Sequence, residues 1–237
     1  MIGHARSAFG LLTVAPVGRP GLTAASVPWF PLVGCAIGGA VAILDAALST
    51  ALPVWPVAVL DVAALAMLSG GLHIDGLADA ADGLLGGGDR PRRLAVMREP
   101  AIGAFGVATV VLVLLLDVGT LASASPRAIP LWVAAGASRW AMAVGIWALP
   151  SARADGLAAA IRTGIGPRHA LVATILAAAL LFPAGAAGLA GIAAAAGAAA
   201  LVGARAARVL GGATGDVHGA IGELSFTSAL VAAVVIR

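Results

Sequence analysis

The sequence is poor in the residues that soluble proteins use to meet water. It has no Lys, no Tyr and a single Cys, with 11% charged residues against 61% hydrophobic ones. Soluble domains carry nearer 25% charge. With a mean hydropathy of +1.04, that balance excludes an ordinary soluble globule and implies an integral membrane protein. Cys35 lies alone in an apolar run, which excludes an intrachain disulfide or a cysteine-based metal cage and leaves a packed core thiol. All 14 basic residues are Arg, and the pI is near 10.9. They fall in loops between apolar spans with few aromatics among them, so membrane topology explains the charge better than nucleic acid does. The length, 237 residues, suits one integral-membrane domain over 1–237.

Long apolar runs are what the chain has instead. A crossing helix needs about 20 apolar residues, and 31–52, 54–72, 103–122, 129–149 and 218–236 qualify. The run 170–204 has 35 residues with Pro183, Gly185, Gly188 and Gly191 near its middle. As one helix it would extend roughly 50 Å, beyond the ~30 Å hydrocarbon core, so it reads as a hairpin of two short spans. The result is an all-α, polytopic helical bundle of about seven transmembrane helices with its N-terminus in the cytoplasm. Arg6 followed by AFGLLTVAPV has no cleavage site after it and is too short to cross, so 8–18 reads as a short interfacial or re-entrant segment. In this topology eleven arginines face inward: Arg6, Arg19, Arg90, Arg92, Arg93, Arg98, Arg153, Arg162, Arg168, Arg205 and Arg208. Only Arg127 and Arg237 face outward. That bias follows the positive-inside rule; the localisation expected is a bacterial plasma (inner) membrane, with 73–98 on its cytoplasmic side.

Against this apolar background, HIDGLADAADGLLGGGDR at 73–90 concentrates four of the eleven carboxylates. Asp75, Asp79 and Asp82 are spaced i, i+4, i+7. At about 100° per residue they fall near 0°, 40° and −20°, one narrow helical stripe. Three anions on one face repel and call for a compensating cation. Hard oxygen ligands without Cys suit Mg²⁺ or Mn²⁺, and Mg²⁺ shares its shell with substrate phosphates. Acids near a helix N-terminus also suit its dipole, but this stripe is purely acidic until Arg90. Gly86–Gly88 then open a turn before Arg90, Arg92, Arg93 and Arg98, whose guanidinium forks match phosphate. A second cluster, GGATGDVHGAIGE at 211–223, carries Thr214, Asp216 and Glu223, the acids again seven apart. It faces the same side as the first, so the two can build one site. Thr214 and His73 join the candidate substrate contacts; His73 and His218 each suit a structural hydrogen bond as well as a substrate contact. Asp45, Asp61 and Asp117 lie inside spans, where an ionisable group is a functional candidate, and Arg139 in GASRWAM can pair with one of them or reach a phosphate.

Taken together, GGLHIDGLADAADGLLGGGDRPRRLAVMREPAIGAFGV, WFPLVG at 29–34, SRWAM at 138–142 and GGATGDVHGA at 211–220 resemble the cobalamin synthase (adenosylcobinamide-GDP ribazoletransferase) family. The resemblance runs along nearly the whole chain. It implies a Mg²⁺-dependent membrane enzyme that joins adenosylcobinamide-GDP to α-ribazole or its 5′-phosphate and releases GMP. On this reading Asp75, Asp79 and Asp82 hold one or two Mg²⁺ on the diphosphate, with Asp216 and Glu223 completing the shell. Arg90, Arg92, Arg93, Arg98 and Arg139 are candidate phosphate contacts. The chain departs from the family at Val14, where an Arg is common, and at Phe226, where an acid is common. The partners implied are these substrates and the bilayer, with no nucleic acid; a homo-oligomer is compatible. Two other classes share features with the chain. CDP-alcohol phosphotransferases use a DG-plus-spaced-Asp helix but have Ala-Arg where this chain has Ala78-Asp79. An ion-coupled transporter would use acids within spans, but the charge here is densest at one membrane edge and no inverted repeat is visible.

Overall fold

The computed structural model describes residues 2–17, 21 and 23–236; Arg19 and Arg237, counted in the charge bias, lie outside the described residues. The described residues form eleven α-helices in order: α1 Ile2–Leu12, α2 Phe30–Leu48, α3 Val54–Leu68, α4 Leu72–Leu85, α5 Arg90–Val96, α6 Ala104–Ser123, α7 Ala128–Ala148, α8 Leu157–Arg162, α9 Pro167–Leu181, α10 Gly185–Leu210 and α11 Gly215–Val235. A 3₁₀ segment, Ala24–Trp29, runs straight into α2. The described residues form no strand, only an isolated parallel bridge between Ser151 and Ala213. The N-terminal segment is a short helix, with Leu12 buried and Arg6 donating to the Val17 carbonyl at 2.9 Å.

α7 is the hub. Its run of Ala, Gly and Ser lets neighbours approach to backbone contact, the usual device where no water drives helices together. A Cβ on Gly38 of α2 would sit 2.6 Å from the Leu131 carbonyl oxygen, and Gly34 meets the Ala135 carbonyl in the same way. Cys35, 1% exposed, packs in this seam beside Gly136. α9 and α10 run opposite ways along α7. Trp140 pairs with Thr174 and Trp132 with Leu180, whereas Gly191 lies by Val133 and Gly203 by Leu149. The apolar run 170–204 therefore turns back on itself, at Phe182–Ala184 and Gly185, where Pro183 and the glycines placed the break.

Among the described residues five helical stretches are long and apolar enough to cross a membrane: 24–48, α6, α7, α9–α10 taken together, and α11; they become six if the α3–α4 pair is one broken span. The expectation of seven counts α3, α9 and α10 separately. α3 and α9 have 15 residues each, about 22 Å of helix, so neither reaches across ~30 Å alone. Leu112, Leu115, Leu116, Leu171, Ile175, Leu189 and Leu201 stay exposed on the outer faces, an apolar surface suited to lipid.

α3 and α4 meet at 90°. Gly70 and Gly71 make that corner with φ of +66° and +70°, left-handed values that cost a side-chain-bearing residue about 1–2 kcal/mol each. α4 therefore lies across one end of the bundle, between crossings. It touches the start of α6, the start of α11 and the end of α10. At the opposite end Arg127 explains two of the acids within spans. Its Nε is 2.5 Å from Asp45 Oδ1 and 3.8 Å from Asp61 Oδ2, and Nη2 donates to Ser49 at 2.8 Å. Asp61 is fully buried, Arg127 6% exposed and Asp45 8%. One guanidinium thus clamps α2, α3 and α7.

Removing that guanidinium strands two buried carboxylates. Arg127→Ala should cost about 3–5 kcal/mol, read as a lowered thermal midpoint in detergent. Adding Asp45→Leu and Asp61→Leu to Arg127→Met should restore most of the loss.

Candidate active site

The two acidic clusters meet because α4 and α11 cross at paired glycines. A Cβ on Gly76 would lie 3.1 Å from the Asp216 carbonyl oxygen, and one on Gly219 would lie 3.3 Å from both the Gly76 Cα and the His73 carbonyl oxygen. Backbone contact at this crossing sets Asp216, in the first turn of α11, against the acidic stripe of α4. Thr214 caps α11, accepting from the Val217 N–H at 3.2 Å while its hydroxyl donates to Asp216 Oδ2 at 3.2 Å. α4 bears out the helical spacing: Asp79 feels the charges of Asp216, Asp75 and Asp82. Burial and that repulsion push the Asp79 carboxyl up to about 6. Asp75 and Asp216 also border one cavity, together with His73 and His218.

The nearest countercharge was not among the sequence candidates. Arg153, in the loop after α7, places Nη1 3.4 Å from Asp216 Oδ2 and donates from Nη2 to the Leu94 carbonyl at 3.2 Å. Its loop is fixed to the residues before α11: Ala152 N–H donates to the Ala213 carbonyl at 2.9 Å, and Ala213 N–H to the Pro150 carbonyl at 2.8 Å. The only sequence signal for Arg153 is the topology, which puts 149–169 on the same side as both acidic clusters.

Asp82 is engaged differently from Asp75 and Asp79. Its Oδ2 accepts from the Gly103 N–H at 2.7 Å and its Oδ1 from the Gly106 N–H at 2.9 Å. It thereby caps α6 from α4, as Asp89 caps α5 through the Arg92 N–H at 3.1 Å. The arginines after the glycine turn are also largely committed. Arg90 donates to the Leu210 and Ala152 carbonyls, both at 2.7 Å. Arg93 donates to Gly83, Leu84 and Gly88 carbonyls. Arg92 pairs with Glu99 and Arg98 with Asp155, both at the surface.

Glu223 does not join Asp75 and Asp216. It lies deeper along α11, where it lines a separate cavity with Asp117, Arg139 and Phe226. Arg139, 5% exposed, donates to Ser138 Oγ at 3.0 Å and approaches His73 Nδ1 at 3.4 Å. Its hydrogen-bond partners are therefore in α7 and α4, not the Asp61 that Arg127 holds.

Two substitutions separate capping from crowding. Asp82→Ala removes the acceptor for two N–H groups and should cost about 1–3 kcal/mol of stability. Asp79→Asn should do the opposite. Asp79 holds its proton above its ordinary value of 3.8, up to about 6, so the folded state binds more protons than the unfolded one in that window. Without divalent cations, stability falls as pH rises through it. Asp79→Asn should flatten that component of the thermal midpoint against pH in EDTA.

A family model described as cobalamin-5-phosphate synthase matches residues 4–234. Adenosylcobinamide-GDP ribazoletransferase of Azorhizobium caulinodans is 41% identical over 205 residues, covering 82% of this chain and 78% of that protein. The Desulforamulus reducens protein of the same name is 34% identical over 94% of this chain and 93% of its own length. That of Chlorobaculum tepidum is 38% identical over 94% and 92%. No solved structure matches. A match of this extent takes in every segment that builds the site, and the chain belongs to the cobalamin-5-phosphate synthase family.

Proposed function

We propose that this chain is a Mg²⁺-dependent membrane phosphotransferase that joins adenosylcobinamide-GDP to α-ribazole or its 5′-phosphate and releases GMP. The observation that carries the reading is the α4–α11 crossing, which brings Asp75 and Asp216 to one cavity, with Asp79 within range of both charges and Arg153 against Asp216. Family membership and the three relatives' names supply the substrates.

The donor chemistry fits a hard divalent cation, Mg²⁺ or Mn²⁺: these are oxygen-only, mutually repelling ligands. Among the described residues no three His, Cys, Asp or Glu side chains are grouped tightly enough to hold an ion by themselves. A cation on Asp75 and Asp216 would complete its shell with water and substrate phosphate, the usual habit of Mg²⁺. Bound there, it supplies neutralisation of the charge that builds on the diphosphate.

The chain's own residues do the rest. A ribose hydroxyl of the acceptor attacks the cobinamide-linked phosphorus; the new P–O bond forms as the bond to the GMP oxygen breaks. Asp79, with the raised proton affinity, takes the hydroxyl proton. Arg153 faces the departing phosphate, a fork suited to that charge. Asp82, held by α6, fixes the far side of the acidic stripe. Such transfers depend on positioning and charge neutralisation more than on covalent chemistry by the protein. Arg90, Arg93, Arg153 and Arg205 all contact this end of the bundle, which supports a cytoplasmic site in a bacterial plasma membrane under the positive-inside rule.

The test is GMP release by purified protein given adenosylcobinamide-GDP with α-ribazole or its phosphate. We expect release that needs Mg²⁺ and an acceptor, and that falls roughly 100-fold or more in Asp75→Asn or Asp216→Asn. Folded protein that releases no GMP, or that forms CMP from CDP-diacylglycerol instead, overturns the assignment.

A further inference from the structure

The cavity beside the acids is larger and more apolar than phosphate chemistry requires. It measures about 210 Å³, and its wall includes Leu12, Phe30, Met142, Ile146 and Ile161, none more than 5% exposed. Asp75 and Asp216 stand at its edge. His73 and His218 line it too, 2% and 7% exposed. His73 Nε2 and His218 Nδ1 find no hydrogen-bond partner among the described residues, an arrangement that is costly unless a ligand supplies one.

The protonation of His73 follows from its neighbour. Arg139 Nη2, which can only donate, faces His73 Nδ1 at 3.4 Å. Nδ1 is therefore the acceptor, and the neutral ring carries its proton on Nε2. The cavity thus has apolar walls, and one of its lining residues carries a buried ring N–H with no protein acceptor. An apolar cavity of about 150 Å³ already admits benzene, so this one has room for a flat bicycle with a single acceptor nitrogen.

Given the reaction proposed above, on which the ligand's identity rests, one component fits. Guanine carries polar atoms around most of its edge and would leave them unpaired against Leu and Ile. A corrin ring is far too large. The benzimidazole of α-ribazole is an apolar bicycle with one free ring nitrogen. We propose that this cavity binds the acceptor's base, that His73 Nε2–H donates to its free ring nitrogen, and that Arg139 is a positioning residue that fixes the His73 tautomer. The attached ribose then lies at the Asp75–Asp216 edge, where its hydroxyl is needed.

Calorimetric titration of wild-type protein with α-ribazole and with its indole analogue, in which CH replaces that nitrogen, tests this without a variant. We expect α-ribazole to bind roughly tenfold or more tightly than the analogue, and His73→Phe to erase the difference. Ala158→Trp, filling the cavity from α8, should weaken both while leaving adenosylcobinamide-GDP binding unchanged. Equal wild-type affinity for the two nucleosides, or wild-type affinity for α-ribazole in Ala158→Trp, overturns the proposal. The expected binding pattern without GMP release leaves the cavity standing and sinks only the activity.

Discussion

The site depends on two glycines that face each other. At Gly76 and Gly219 the α4 and α11 backbones come within contact of one another's main chain, and a side chain at either position would push them apart. Everything that follows is set by this separation. The acids of two segments more than a hundred residues apart share one opening, and His73 is carried down into the wall of the same cavity. Helix crossings in membranes rely on small residues because lipid offers no hydrophobic drive for association. Here the same close packing that holds the bundle together also assembles the chemistry.

Electrostatically, the two ends of the bundle solve opposite problems. At the far end a single guanidinium satisfies two buried acids, and the outcome is a clamp. At the site end several carboxylates crowd together with Arg153 as the nearest cation, and the outcome is a place that favours an additional positive charge. The surrounding arginines do not relieve the crowding. Arg90, Arg93 and Arg205 spend their donors on carbonyls at helix ends, where they complement the negative end of the dipole. Charge at this end is therefore partitioned: most arginines build the frame, and the acids are left underneutralised.

Much of the architecture was legible because the apolar runs are long. The helices around 30–48, 104–123, 128–148 and 215–235 follow from hydropathy, and the break near Pro183 follows from length alone. The spacing of Asp75, Asp79 and Asp82 marked a helix, which α4 confirms. Hydropathy could not show that α4 turns 90° at Gly70–Gly71, since Gly in this chain is common and only backbone conformation singles out these two. The pairing of Arg127 with Asp45 and Asp61 was equally hidden, because it depends on the relative height of three helices. Asp82 looked like its neighbours in the stripe until the start of α6 came to rest on it. Glu223 shares a helical face with Asp216, but seven residues of rise carry it past the opening into the bundle. Arg153 had no pattern at all; its place follows from a backbone contact.

That contact has a mechanical meaning. The reciprocal hydrogen bonds between Pro150–Ala152 and Ala213 stitch the exit of α7 to the entrance of α11, so Arg153 and Asp216 belong to one rigid body. Immediately beyond the stitch, Gly156 turns with φ of +94° into α8. Arg162 at the far end of α8 donates back to the Leu149 carbonyl at 3.1 Å, so the stretch of cavity wall that α8 carries is anchored at both ends to the same stitched unit.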